Sequence, residues 1–321
     1  MAAQNLDKFF KELAKKEVGE NSGQVSAHLT SFKRWISACQ HLKIPNNDTL
    51  LLGFLRYAHY DHSMAQKRID NFCTLRCSDK TTSVWYQYPS LNDSCIENYL
   101  NSGVFLPMGF MPSGTFVVLM RLTDWSTSEL DYLSVRRVNN MNYDRLILDE
   151  RCQIGGFCLF IDLDNMSIDQ ARQWGDLKDS KAAFRLMQEA VPGRTKNIVF
   201  YKESKIFDTV YRVAEVWLND KMKKRIHRVG SDIGKAFKKI QGLEDVLPVE
   251  YGGKNGTVAE AKQRNRTEFL EYYSKGYPLE EITVDESKRP NTAKKYLSEY
   301  KEVSSNVFGT AGTYIKLDPC D

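Results

Sequence analysis

Apolar positions in the first 78 residues recur at the three-and-four spacing of amphipathic helices. Leu6, Phe9, Phe10 and Leu13 open the series, interrupted by Asp7, Lys8 and Lys11. Leu29, Phe32, Trp35 and Ile36 share one side of a helix expected over 24–42. Asn47 or Asp48 caps the next, over 49–57, which carries Leu50, Leu51, Phe54 and Leu55. A further helix is expected over 64–76.

The pattern changes near Asn101. Residues 104–108 and 115–122 read as strands around a Pro112-Ser113-Gly114 turn. Residues 155–163 form an apolar run of the kind expected in a parallel strand buried on both faces. Another strand is expected over 197–201, and helices over 131–151, 171–190 and 205–229. Pro248 favours an extended Leu247. Val249 and Tyr251 alternate as in a short strand, before Gly252 and Gly253 permit a tight loop. Residues 257–321 are polar, with helical pieces at 258–273 and 292–303. Strands alternating with helices predict an α/β class with parallel pairing behind an N-terminal helical subdomain.

Composition adds bounds. At 321 residues, 42% hydrophobic and 27% charged, the chain can build a sizeable core. No apolar run reaches the roughly 18–20 residues that span a bilayer. The N-terminus reads as neither a signal peptide nor a myristoylation site. Seven cysteines, an odd number, point to reduced thiols in the cytosol. Cys73 and Cys77 share a helix face without a second ligand pair at zinc spacing, so helix packing is expected there. A net charge of +4 does not imply nucleic acid, and no nucleic-acid partner is expected.

Candidate chemistry is sparse. The five histidines sit in no nucleophile or metal signature, and Gly-x-Ser-x-Gly, P-loop and Gly-x-Gly-x-x-Gly patterns are absent. Asp162-x-Asp164 follows an apolar strand, an arrangement that Mg²⁺-dependent phosphatases use. The plainer reading is a pair of turn-forming acids. Between Lys221 and Lys239 lie eight basic residues against Asp232 alone. On a continuous helix, Met222, Ile226 and Val229 form its buried stripe, with Lys221, Arg225 and Arg228 beside it. Residues 204–218 carry a broad apolar face, with Ile206, Val210, Val213, Ala214 and Trp217 widened by Phe207, Tyr211 and Leu218.

The segment Leu247-Pro248-Val249-Glu250-Tyr251-Gly252-Gly253-Lys254-Asn255-Gly256 resembles the one that closes the lipid-binding core in the CRAL-TRIO family. Residues 51–61 are similar to that family's helical lead-in, with Gly53 and Ala58 where arginines are usual, and residues 307–317 resemble the tail of its arthropod members. The resemblance covers about residues 45–256 and implies no enzyme and no cofactor. It implies a helical subdomain over 1–78, a lipid-binding domain over 79–256 with a sheet floor and a helical gate, and a polar extension over 257–321. One hydrophobic ligand of tocopherol, retinoid or carotenoid type would occupy a cavity. Its lining would include Phe157, Leu159 and Ile161 on alternate strand positions, Leu186, Ile198, and Asn139 with Tyr143, which match two serines of tocopherol-transfer members. The gate would add Phe207, Val210 and Ala214. Arg194, Lys196, Lys221 and Arg225 match positions that grip phosphoinositide headgroups. Gly193 stands where phosphatidylinositol-holding members carry a glutamate, which favours an isoprenoid ligand. The implied protein is cytoplasmic and reversibly membrane-associated, without a transmembrane segment. Two alternatives are a Mg²⁺-dependent phosphatase built on Asp162 and Asp164, and a phosphoinositide-sensing adaptor with little or no cavity.

Overall fold

A computed structural model describes residues 6–174, 176–293, 296 and 297. The N-terminal third is helical: α1 (Lys8–Val18), α2 (Val25–Ala38), then a short strand β1 (Leu42–Lys43), α3 (Asp48–Tyr57) and α4 (His62–Cys77). Local capping sets these boundaries. Asp7, Asn47 and Asp61 each accept a hydrogen bond from a backbone N–H in the first turn that follows. Phe32, Leu51, Phe54, Leu55, Ile69 and Phe72 then form one core. Cys73 is packed in that core, and the Cys77 thiol donates to the Ile282 carbonyl, 3.2 Å away.

After α5 (Ser94–Ser102) comes a hairpin of β2 (Phe105–Phe110) and β3 (Phe116–Arg121). The chain continues through α6 (Tyr132–Ile147), α7 (Glu150–Gly155), β4 (Phe157–Asp162), α8 (Ile168–Trp174), α9 (Leu177–Glu189) and β5 (Thr195–Tyr201). Then follow α10 (Lys205–Ala214), α11 (Asp220–Lys223), β6 (Ile226–Arg228), α12 (Ile233–Lys239), α13 (Val258–Tyr273) and β7 (Thr283–Val284). The sheet runs β2-β3-β4-β5-β6, with β2 antiparallel to β3 and parallel pairing thereafter. The class is therefore α/β with a central, mainly parallel sheet.

The strand period divides the core. Phe157, Leu159 and Ile161 face one side with Val118, Met120 and Ile198. Cys158 and Phe160 face the other with Val117, Leu119, Leu247 and Tyr251. Two buried layers explain why β4 is apolar from Phe157 to Ile161.

Several elements differ from the sequence expectations. Residues 205–229 are not one helix. Asn219 caps the separate α11, and Ile226–Arg228 leave the helical path to pair with β5, Ile198 opposite Ile226. Met222 and Ile226 stand four apart, a spacing that also fits a helix face, but they belong to different elements. Residues 249–251 form a 3₁₀ turn rather than a strand, because Pro248 leads straight into it and Gly252 closes it at φ +69°. A Cβ at Gly253 would overlap the Leu247 carbonyl, so that return requires glycine. Residues 131–151 and 171–190 are each divided, where Asp149 and Asp176 cap new helices. Of the expected helix over 292–303, the described residues 292, 293, 296 and 297 are not in an α-helix, and the rest of it and the tail over 307–317 lie outside the described residues.

The segment after 257 is packed into the fold. Val258, Ala261, Phe269 and Tyr273 of α13 are buried. Tyr273 donates to the Met141 carbonyl at 2.5 Å, and β7 pairs with β1. Arg289 pairs with Asp70 on α4.

Candidate functional site

Between the sheet and helices α6, α9 and α10 lies a cavity of about 280 Å³. Its floor is the face of β4 that carries Phe157, Leu159 and Ile161, extended by Ile198 and Phe200 of β5. α6 contributes Asn139 and Tyr143, α9 contributes Leu186, and α10 contributes Phe207, Val210, Tyr211 and Ala214. The ten cavity residues expected from the sequence, Asn139, Tyr143, Phe157, Leu159, Ile161, Leu186, Ile198, Phe207, Val210 and Ala214, all line this one space. Residues Met120, Trp85, Tyr86, Phe184, Met187 and Arg136 line it too and escaped the sequence reading. Arg136 had a signal: it precedes Asn139, Asn140 and Tyr143 by three, four and seven residues, hence on one helix face.

Most of the wall is apolar, and its polar groups are largely engaged. Asn139 Oδ1 accepts a hydrogen bond from the buried Tyr99 hydroxyl. At the far end, Asp144 accepts from Tyr88 at 2.7 Å and from Arg76 at 2.8 Å. The Arg76 guanidinium lies over the Tyr86 ring, 4.4 Å from its centre. Burial pushes the Tyr143 phenol well above its ordinary range, so it remains a neutral hydroxyl.

α10 covers the cavity. Its first turn is capped by Ser204, which accepts from the Phe207 N–H at 3.3 Å. Arg228 on β6 pairs with Asp208 of this helix and with Glu203, 3.2 Å away, and lies over the Phe207 and Tyr211 rings. One exposed arginine thus ties the cover to the sheet edge.

The expected cationic positions cluster but differ in freedom. Lys221 is exposed on α11. Partial burial, then the Arg225, Arg194 and Arg68 charges, hold its ammonium below the usual lysine value. His59 is lowered by burial and by Arg194 and Lys221. These groups therefore share one positive neighbourhood. Arg225 braces the Thr195 carbonyl. Arg194 is drawn inward: it donates to the Ile154 carbonyl and lies 3.6 Å from Glu17 on α1. Lys196 pairs with the same Glu17 carboxylate at 2.9 Å. The hydrogen bond from Lys196 holds Glu17 below the usual glutamate range, despite some burial. No local sequence signal could join Glu17 to partners nearly 180 residues away.

Asp162 and Asp164 occupy the opposite side of the sheet from the cavity floor. Asp162 is buried and accepts from the Tyr251 hydroxyl at 2.6 Å and from the Asp164 N–H at 3.0 Å. Asp164 pairs with Lys202 at 2.7 Å. Burial, and then the Asp162 charge, raise the Tyr251 phenol well above its ordinary range. The aspartate thus closes the turn after β4 and anchors the 248–253 return. Asp162→Asn weakens a charge-assisted bond in a buried site and is expected to cost about 1–3 kcal/mol of stability. Urea melts would check it, and an unchanged midpoint would contradict this anchoring role.

Residues 100–253 match the family model described as the CRAL/TRIO domain. This stretch is a CRAL/TRIO domain. It includes the whole five-stranded sheet, helices α6 to α12 and the 3₁₀ return. Among known proteins, the chain is similar to clavesin-1 of Xenopus laevis, 29% identical over 142 residues, which are 44% of this chain and 41% of that one. It is also similar to clavesin-2 of Rattus norvegicus, 24% identical over 212 residues, 64% of this chain and 62% of that one. The first match therefore spans about two fifths of its relative's length. A solved structure described as the crystal structure of Sfh5 aligns over 81% of this chain and 92% of its own, with 12% identity and a TM-score of 0.46. Among the described residues, no helix is long and apolar enough to cross a membrane.

Proposed function

We propose that this CRAL/TRIO protein is a lipid carrier. It binds one hydrophobic small molecule between the sheet and α10, shields it from water and exchanges it at anionic membranes. The observation that carries the reading is the continuous apolar lining formed by β4, β5, α9 and α10. A site of this size and character gains affinity from apolar burial, about 25 cal/mol per Å² before the costs of association. An isoprenoid-type ligand (tocopherol, retinoid or carotenoid) is favoured over a phospholipid because Gly193, on the cavity wall, stands where phosphatidylinositol-holding relatives carry a glutamate. No covalent chemistry takes place on this reading. Asp162 and Asp164 are engaged by Tyr251 and Lys202 and face away from the cavity, which disfavours a phosphatase. A generic phosphatase assay with Mg²⁺ separates the two, since turnover that vanishes in Asp162→Asn would favour the enzyme.

Exchange requires docking in the cytosol at a membrane surface. Lys221 and Arg225 are the cations we assign to this contact, and Glu17 restrains Arg194 and Lys196. A basic residue near an anionic surface contributes roughly 1 kcal/mol. Replacing Lys221 and Arg225 by Ala should therefore weaken binding to phosphoinositide-containing vesicles roughly 10- to 30-fold, and added salt should mimic the change. Glu17→Gln should act in the opposite direction, because it releases Lys196. Co-sedimentation with vesicles measures both. Equal binding by wild type and the double variant at low salt would remove these residues from the docking surface.

A further inference from the structure

Arg136 brings a positive charge with free donors to the cavity wall. It lies on α6, on the same face as Asn139 and Tyr143. Its stem is fixed. The guanidinium lies 5.0 Å from the ring centres of both Trp85 and Tyr132, and its Nε donates to the Tyr132 hydroxyl at 2.6 Å. The terminal nitrogens, Nη1 and Nη2, donate to no described residue. Asp179 on α9 feels the Arg136 charge, yet makes no ion pair with it. The cavity's other arginine neighbour differs: Arg76 is already compensated by Asp144 at 2.8 Å. One positive charge in the wall is thus left without an ion-paired carboxylate among the described residues.

An arginine held between two aromatic faces has lost its rotamer freedom before any ligand arrives. Its two free nitrogens form a planar fork, which matches the two oxygens of a carboxylate. A hydroxyl can engage only one arm of that fork. A phosphate monoester brings nearly two charges, and the wall offers one. We infer that the ligand of this cavity is a hydrophobic acid, whose carboxylate is held by Arg136 while its hydrocarbon lies along Phe157, Leu159 and Ile198. The assignment rests on the lipid-carrier reading above and narrows its ligand class.

The test compares two probes with one skeleton, retinoic acid and retinol, on delipidated full-length protein. Quenching of tryptophan fluorescence reports binding, and thermal melts verify folding. Wild type should bind the acid at least about tenfold more tightly than the alcohol. Arg136→Gln should abolish that preference by weakening the acid alone. Arg136→Lys, which keeps the charge but loses the fork, should retain part of it. An acid-to-alcohol ratio that is unchanged in Arg136→Gln, or a wild-type preference for retinol, overturns the assignment and leaves the carrier reading standing. Binding of neither probe by the wild type counts against both.

Discussion

Leu159→Asp is expected to abolish ligand binding while the protein still folds. Leu159 sits at the centre of the cavity floor, between Phe157 and Ile161 on β4 and opposite Ile198 on β5. The side chain is buried on the cavity floor, so the new carboxylate would meet mainly apolar surface. An unpaired carboxylate in such a site carries a penalty of several kcal/mol. Since about 1.4 kcal/mol is tenfold in Kd, the loss should exceed about 100-fold. Leu159→Trp makes the complementary test, because it removes volume without adding charge. It should exclude the larger ligands and retain smaller ones. A displacement assay with tocopherol, retinaldehyde and a carotenoid would measure both variants, with melts as the control. Wild-type binding of all three by the Asp variant would mean that this face of β4 does not contact ligand.

The largest stability effect should come from Arg56 on α3. Its side chain is only 2% exposed. Nε donates to Glu20 at 2.6 Å, and Nη1 reaches Gln153 at 2.8 Å and Glu150 at 2.9 Å. Tyr60 donates to the same Glu20 oxygen at 2.6 Å. One guanidinium therefore joins the α1–α2 linker, α3 and α7, which immediately precedes the cavity floor. Arg56→Met removes the charge and leaves two partly or wholly buried carboxylates. Breaking a buried pair in this way costs about 3–5 kcal/mol, which lowers Tm by roughly 6–20 °C. Replacing Glu20 and Glu150 by Gln in the same background should recover part of the loss.

This pair also has a pH signature. Burial pushes the Glu20 carboxyl up, but hydrogen bonds and charge from Arg56 outweigh it, and the group titrates below the ordinary glutamate value of 4.5. A depressed carboxylate contributes stability above its unfolded pKa and loses it as pH falls through its folded pKa. Wild type should therefore lose stability as pH drops below about 4.5. In Arg56→Met the same carboxylate is buried without its partner, so its pKa rises and protonation relieves the penalty. The gap in Tm between variant and wild type should narrow as pH falls. A gap that is constant from pH 7 to pH 4 would contradict the ion-pair account of this site.

How much of this was legible in the chain depends on the range of the interactions. The helix Val258–Tyr273 was readable to the residue, because Thr257 and Glu260 form a local capping box. β4 was readable because Phe157 to Ile161 are apolar without interruption, as a strand buried on both faces requires. Its period of two then assigned Phe157, Leu159 and Ile161 to one side. The resemblance to a lipid-binding family supplied the partners across the cavity, which periodicity alone could not. Failures occurred where local patterns fit two geometries. Met222 and Ile226 suit a helix stripe as well as a turn followed by an edge strand, and only pairing with Ile198 decides. Val249 and Tyr251 alternate over too few residues to distinguish a strand from a 3₁₀ turn. Glu17 and Arg136 were missed for different reasons. Glu17 acts on residues remote in sequence. Arg136 shares a helix face with Asn139 and Tyr143, a signal that was passed over, and only the fold brings Trp85 against it.

The central claim is that the space between the sheet and α10 holds a hydrophobic molecule. Native mass spectrometry of the purified protein, followed by mass spectrometry of its organic extract, tests that claim most directly. The expected result is a complex of one chain with one hydrophobic ligand, lost in Leu159→Asp, with the same compound recovered in the extract. A chain mass without adduct, both as purified and after incubation with vesicles carrying tocopherol, retinoids and carotenoids, would contradict it.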